Sequence, residues 1–317
     1  MDAESTEIND EIEFPGSQTI SKVLNTVKRP FRQLLHSSGE PVEWDDSDEY
    51  DFSHPNRGNM IIFNNGNFKG HSPRPGTEVD AMNLEKTFTN LGFTIDTHYN
   101  QTRNQMIAIL RKAAKNDHSQ SDCFICAILS HGDEVHVVDS KQPNRHERED
   151  VVYATDSFLL TSEIVNMFND SNCKTLRGKP RIFFIQACRG NSLDPGVQIN
   201  VQVDEVDAVC EEIVEVTPCP IYKDCLLMYA TPPGFYAFRR PDTGSWFIRA
   251  LCEIPDKPNI EKRSLHQLLT AVIKHVGLNY QSLSSNLRIS GKKQTPCIIS
   301  KLVKDVYFTP KHDSLPV

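Results

Sequence analysis

Two short motifs carry the chemistry open to this chain. Ser130-His131-Gly132-Asp133 closes the apolar run Cys123 to Leu129, and Gln186-Ala187-Cys188-Arg189-Gly190 closes the run Arg181 to Ile185. A thiol attacks as the thiolate, so it needs a base beside it. An imidazole can take that proton and later return it to a leaving amine. His131 adjoins Gly132 and Cys188 lies two residues before Gly190, glycines that let backbone N–H groups approach a developing oxyanion. Alone, a buried cysteine is a small hydrophobe and a histidine after a strand is a polar cap. Together at two strand ends they are arranged as a nucleophile and its base. His136 is a second histidine in range, but no glycine adjoins it.

The elements that must position this pair alternate between strand and helix. Met60 to Phe63, Asp122 to Leu129, Arg181 to Ile185, Cys225 to Tyr229 and Cys297 to Val303 read as strands. Val79, Met82, Phe88 and Leu91 mark a helix ending at Gly92. Thr102 with Gln105, and Ser264 with Gln267, are capping boxes that open two more helices. Ser162 to Phe168 and Trp246 to Cys252 are shorter helices. Such alternation predicts a largely parallel sheet covered on both faces, with working residues in loops beyond the strand carboxyl ends. Lys141 to Asp150 reads as a charged loop insertion, and Asn191 to Tyr222 as a long connection inside one domain.

Composition narrows the function classes. The chain has 317 residues, 38% hydrophobic and 24% charged, enough for a substantial core. Its net charge of −8 is uneven: residues 1–51 hold 13 acidic and 4 basic side chains, while the remainder is close to neutral. There is thus no basic footprint for nucleic acid. The acidic stretch reads as a flexible leader. Within it Ile20, Val23, Leu24, Val27 and Phe31 recur at helical spacing, interrupted by Pro30, without amounting to stable membrane association. No apolar run approaches the ~18–20 residues of a membrane span. Nine scattered cysteines fit a reducing compartment, so a cytoplasmic location is expected. Cys123 and Cys126 would face opposite sides of a strand, which excludes a zinc or redox pair. No metal-ligand spacing or phosphate loop is present, and no cofactor is expected.

The two motifs, with Arg74-Pro75-Gly76-Thr77-Glu78-Val79-Asp80, Tyr236-Ala237-Phe238-Arg239 and Gly244-Ser245-Trp246-Phe247, resemble the caspases from about Asp51 to the end. The resemblance implies a three-layer sandwich, a central mostly parallel six-stranded sheet with helices on both faces. It implies Cys188 as nucleophile, His131 as acid and base, and the N–H groups of Gly132 and Cys188 as the oxyanion hole. Arg74, Gln186 and Arg239 would form the pocket for a substrate aspartate, and Tyr236, Phe238, Arg240 and Trp246 further substrate contacts. Two guanidinium forks suit a buried carboxylate, and they reject its amide because they would be left unpaired. Phe238 stands where many members have tryptophan, Val135 where many have glycine, and Arg240 where asparagine or aspartate is common.

The family reading further implies an effector-type endopeptidase of apoptosis, made as a zymogen. Residues 1–51 would be the prodomain, 52–207 the large subunit and 208–317 the small subunit, assembled as a homodimer of two-subunit protomers with Cys297 to Val303 at the two-fold. Partners would be protein substrates with exposed aspartates and an upstream activating protease. Asp207 is the expected processing site, with Asp46 and Asp51 as weaker ones in the leader. The rival is a catalytically silent regulator that only binds partners. Retention of Cys188, His131, Gly132, Arg74 and Arg239 together opposes it.

Overall fold

The computed structural model describes residues 47–138, 146–190, 192–195, 223–255, 259–283, 288 and 290–311. Its strands are β1 (Asn59–Asn64), β2 (Thr94–Tyr99), β3 (Phe124–Leu129), β4 (Gly132–Val138), β5 (His146–Tyr153), β6 (Phe158–Leu160), β7 (Arg181–Gln186), β8 (Cys225–Tyr229), β9 (Arg239–Arg240), β10 (Gly244–Ser245) and β11 (Cys297–Ser300). Its α-helices are α1 (Thr77–Asn90), α2 (Arg103–Lys115), α3 (Thr161–Asn166), α4 (Trp246–Glu253) and α5 (Leu265–Asn279).

Six strands form the central sheet in the order β11-β8-β7-β3-β1-β2. All pair in parallel except β11, which runs antiparallel to β8. Strands β3, β7 and β8 are buried at every position, which is why their sequences are unbroken apolar runs. Alternate residues feed two cores. Cys123, Ile125, Ala127 and Leu129 join Leu84, Phe88, Phe247 and Leu268 on the side of α1, α4 and α5. Phe124, Cys126 and Ile128 join Met106, Leu110, Ile164 and Val165 on the side of α2 and α3. Cys123 and Cys126 therefore face opposite cores, as period two requires, and burial pushes both thiols far up.

Helix starts follow the sequence signals. The Thr102 side chain accepts from Gln105 N and the Gln105 side chain from Thr102 N, and the Ser264–Gln267 pair closes the same box on α5. After α1, Gly92 adopts φ +88°, a conformation that a side chain would strain.

Four expectations need correction. Thr94–Tyr99 forms the edge strand β2, although its alternation is weak and most of it is partly or fully exposed. Within the segment assigned to a charged loop insertion, residues 146–150 are strand: β5 pairs antiparallel with β4 from Gly132↔Val152 to Val138↔His146, and residues 141–145 lie outside the described residues. Its charged residues lie on a separate three-stranded sheet, order β4-β5-β6, outside the main sheet. Strand β11 ends at Ser300 rather than Val303, and α3 spans Thr161–Asn166 rather than Ser162 to Phe168. The compact unit spans Asp48–Val317. Tyr50 is buried, its hydroxyl donates to Asp224 at 2.7 Å, and its N–H to Asp305 O at 2.9 Å. Asp46, Asp207 and the helical pattern at 20–31 lie outside the described residues.

Candidate active site

Strands β3 and β7 are neighbours in register, Leu129 beside Gln186, so their carboxyl ends deliver His131 and Cys188 to the same edge of the sheet. A cleft of about 220 Å³ opens there, lined by Arg74, His131, Gln186, Cys188, Phe238 and Arg239 among others. The histidine and the cysteine motifs, 57 residues apart in sequence, thus share one cavity with both arginines.

The ring of His131 is fixed from two sides. Its Nε2 donates to the Ser72 carbonyl at 2.8 Å, and the Phe68 ring lies 4.8 Å away, centroid to centroid. A carbonyl only accepts, so the proton sits on Nε2 and Nδ1 carries the free lone pair. Partial burial pulls the imidazole below its ordinary value, aided by Arg74, His71 and Arg239 against the pull of Ser72. Burial pushes the Cys188 thiol up, against the Ala237 N–H and the charges of Arg74 and Arg239. At neutral pH the resting pair is thus an uncharged thiol and an uncharged imidazole able to act as base.

The backbone around the pair is closely packed. Ala237 N–H approaches Cys188 Sγ at 3.5 Å, and the N–H of Cys188 itself has no acceptor among the described residues. A Cβ on Gly132 would stand 2.5 Å from Cys188 O and 2.8 Å from Val151 O, so only glycine fits. Two donors, Gly132 N–H and Cys188 N–H, lie on the two loops that meet at the thiol.

Arg74 and Arg239 reach the cleft from opposite walls. Arg74 precedes α1 and is 4% exposed; its Nη1 donates to Asn65 O at 3.1 Å and to Thr77 Oγ1 at 2.8 Å. Thr77 Oγ1 in turn donates to Asn64 Oδ1 at 2.6 Å. Arg239, on β9, donates from Nε to Pro75 O at 3.3 Å. Burial and then the Arg239 charge push Arg74 down to about 9, and burial likewise lowers Arg239. Neither guanidinium has an ion-pair partner among the described residues. Asp80, fully buried on α1, supplies the counter-charge from behind, held by Ser245 N at 2.7 Å and Ser245 Oγ at 2.5 Å. Gln186 is 2% exposed, and its Oε1 has no partner among the described residues. Two confined guanidinium groups in one cleft have the charge and geometry to grip a carboxylate.

Phe238 and Arg239 also wall a second cavity of about 370 Å³, which includes Arg240, Trp246, Arg249 and Tyr280. Phe238 stacks on Trp246 at 4.7 Å and Trp246 on Tyr280 at 5.4 Å, forming an aromatic wall. Arg240 is exposed at its rim. Tyr236 is 39% exposed and belongs to neither set of lining residues.

A family model described as a caspase domain matches residues 57–307. The chain belongs to the caspase family. Caspase-7 of Gallus gallus is 36% identical over 82% of this chain and 80% of its own length. Caspase-3 of Felis catus is 36% identical over 89% and 95%. The crystal structure of caspase-1 from Spodoptera frugiperda superposes with a TM-score of 0.72 at 30% identity, covering 89% of this chain and all of that one. The mostly parallel six-stranded sheet with helices on both faces is therefore the caspase fold, and the chain is a caspase-type cysteine peptidase by family.

Sequence reasoning missed several residues of this caspase's site. Asn64 and Asn65 end β1 as a polar pair after an apolar run, a signal visible in the sequence. Ser72 acts through its carbonyl, which no side-chain type reveals. Asp80 lies inside a quoted motif but gives no hint of its position behind the arginines. Among the described residues no group of three or more metal-ligating side chains occurs, and no helix is long and apolar enough to cross a membrane.

Proposed function

We propose that this protein is an active endopeptidase that cleaves protein substrates after aspartate. The observation that carries the reading is the pair Arg74 and Arg239, two guanidinium groups that line the Cys188 cleft and have no ion-pair partner among the described residues. In the proposed reaction His131 Nδ1 takes the thiol proton and Cys188 Sγ attacks the carbonyl carbon after the aspartate. Gly132 and Cys188 N–H groups hold the oxyanion. The C–N bond breaks as His131 returns its proton to the leaving amine. Water, deprotonated by His131, then hydrolyses the thioester and restores the thiol. Profiling the processed protein on a tetrapeptide library varied at the residue before the cut tests this. Cleavage confined to aspartate supports it, and cleavage after basic or uncharged residues, or none, refutes it.

The effector type and the role in apoptosis rest on resemblance. A reducing, cytoplasmic setting accords with the seven free cysteines among the described residues. Dimerisation is supported by β11, an edge strand whose Ile298 and Ile299 are only partly buried, an open template for the same strand of a second copy.

Activation is assigned to a cut after Asp207 by an upstream protease, dividing 52–207 from 208–317. Asp204-Glu205-Val206-Asp207 is followed by small, neutral Ala208, whereas Asp194 precedes Pro195 and Asp204 precedes Glu205. Incubating Cys188→Ala protein with an active effector caspase is expected to release a fragment beginning at Ala208, read by N-terminal sequencing. Cleavage only elsewhere discards the assignment. In the leader the balance favours Asp46. Asp51 sits between buried Tyr50 and Phe52, whose ring meets Phe308 at 6.0 Å, so the clasp must open before a protease can seat there.

Arg240 is assigned to the substrate residue four positions before the cut. Of the other cations of that cavity, Arg239 is assigned to the aspartate pocket and Arg249 is already paired with Glu253 at 2.6 Å. An exposed pair is worth about 0.2–1 kcal/mol. Arg240→Asn is therefore expected to cut the preference for an acidic residue there by up to about fivefold, the effect shrinking at high salt. Equal selectivity in parent and variant removes the pairing.

A further inference from the structure

The β4–β5 ribbon grips both loops that meet at Cys188. On β5, Asp150 receives Arg189, the residue after Cys188, as a two-pronged pair: Nε to Oδ1 at 2.9 Å and Nη2 to Oδ2 at 2.6 Å. The pair is nearly buried, at 7% and 13% side-chain exposure. The Arg189 guanidinium lies 3.9 Å over the Tyr229 ring of β8, and its Nη1 reaches Cys297 Sγ at 3.4 Å. Burial alone opposes the Arg189 charge; the hydrogen bonds and charge of Asp150 outweigh it.

On β4, Glu134 Oε1 accepts the N–H of Gly234 at 2.9 Å, and its Oε2 pairs with Arg148 of β5 at 2.7 Å. Gly234 begins the loop that leads to Ala237, Phe238 and Arg239. That loop is laced to the one after Cys188: Arg189 N donates to Phe235 O at 3.0 Å, Ser192 N to Gly234 O at 2.8 Å and Tyr236 N to Ser192 O at 2.9 Å. The two run so close that a Cβ on Gly190 would stand 2.7 Å from Gly234 Cα.

We propose that Asp150 and Glu134 are positioning residues for hydrolysis, Asp150 setting the loop that presents Cys188 and Glu134 the loop that presents Arg239. The inference rests on the proteolytic reading above. Its physical basis is that a buried cation deprived of its anion must move toward water. Arg189 would carry the Cys188 N–H and Sγ with it, so the loss falls on turnover. Glu134 shares the Gly234 N–H with the Arg189 carbonyl, and losing its share loosens the loop of Arg239, so the loss there falls on substrate binding.

The test uses processed full-chain protein, with rates normalised to active sites titrated by a covalent aspartyl inhibitor. Asp150→Asn is expected to lower kcat at least tenfold with KM within threefold, and Asp150→Glu to recover most of it. Glu134→Ala is expected to raise KM at least tenfold with kcat within threefold. A purely structural role would reduce the number of titratable sites and leave both constants of the surviving sites unchanged, and that result overturns the proposal. If Asp150→Asn does not fold, Arg189→Lys, which keeps the charge and loses the fork, is read by the same split. Iodoacetamide alkylation of Cys188, followed by mass spectrometry, separates this inference from the proteolytic one. If the parent cleaves no aspartyl peptide, an alkylation rate altered at least threefold by Asp150→Asn still supports the grip on the Cys188 loop, and an unaltered rate overturns it.

Discussion

Replacing Cys188 by alanine is expected to abolish peptide hydrolysis while leaving the folded protein intact. The side chain stands at the carboxyl end of β7, partly exposed and outside both hydrophobic cores, so its loss removes one sulfur from the cleft and opens no core cavity. Seven cysteines are described, yet none of the other six can take over. Cys123, Cys126, Cys173, Cys225 and Cys252 are buried, and Cys297 faces Arg189 and the Thr231 carbonyl. Nor can His131 act without the thiol, since its own lone pair is the base and not the nucleophile. Steady-state hydrolysis of an aspartyl tetrapeptide and a thermal melt, made on the same preparation, check both halves. Turnover above a trace level would transfer the role elsewhere, and loss of the melting transition would mean that Cys188 serves the fold.

The second large effect is expected at the carboxylate receptor. Arg239→Ala should reduce kcat/KM on aspartyl substrates by about 30- to 4,000-fold, because truncating one partner of a buried charged contact costs ~2–5 kcal/mol. Arg74→Ala should act similarly, although it also strands the Asn65 carbonyl and the Thr77 hydroxyl. Stability should move the other way. Burial and the neighbouring guanidinium both work against the Arg74 charge, so removing Arg239 relieves a like-charge repulsion. The melting temperature of Arg239→Ala is expected to equal or exceed that of the parent while activity collapses. A variant that loses stability and activity together, or that keeps its preference for aspartate over asparagine, would contradict the receptor.

How much of this was legible beforehand depends on the range of the interactions. Strands β3 and β7 announce themselves as continuous apolar runs because both of their faces are covered, and their ends point to His131 and Cys188 without any coordinates. The two capping boxes are equally local, each closing within four residues. Strand β2 was illegible because an edge strand exposed on much of its length needs no apolar alternation. The β4–β5 ribbon was illegible for a stronger reason. Its sequence His146-Glu147-Arg148-Glu149-Asp150 has the composition of a solvated loop, and only the pairing with β4 makes it a strand. The partners of Asp150 and Glu134 lie 39 and 100 residues away, a separation at which sequence pattern carries no information. Asp80 was hidden similarly, since its role depends on Ser245, 165 residues downstream.

The central claim is that Cys188 attacks the carbonyl of an aspartate held by Arg74 and Arg239. The most direct measurement exposes the processed protein to two tetrapeptide fluoromethyl ketones that differ only in aspartate or asparagine beside the reactive carbonyl, then maps the adduct by mass spectrometry. A single adduct on Cys188, formed about 30-fold or more faster with the aspartyl probe, is the expected result. Labelling of another residue, or equal rates with the two probes, would contradict the account.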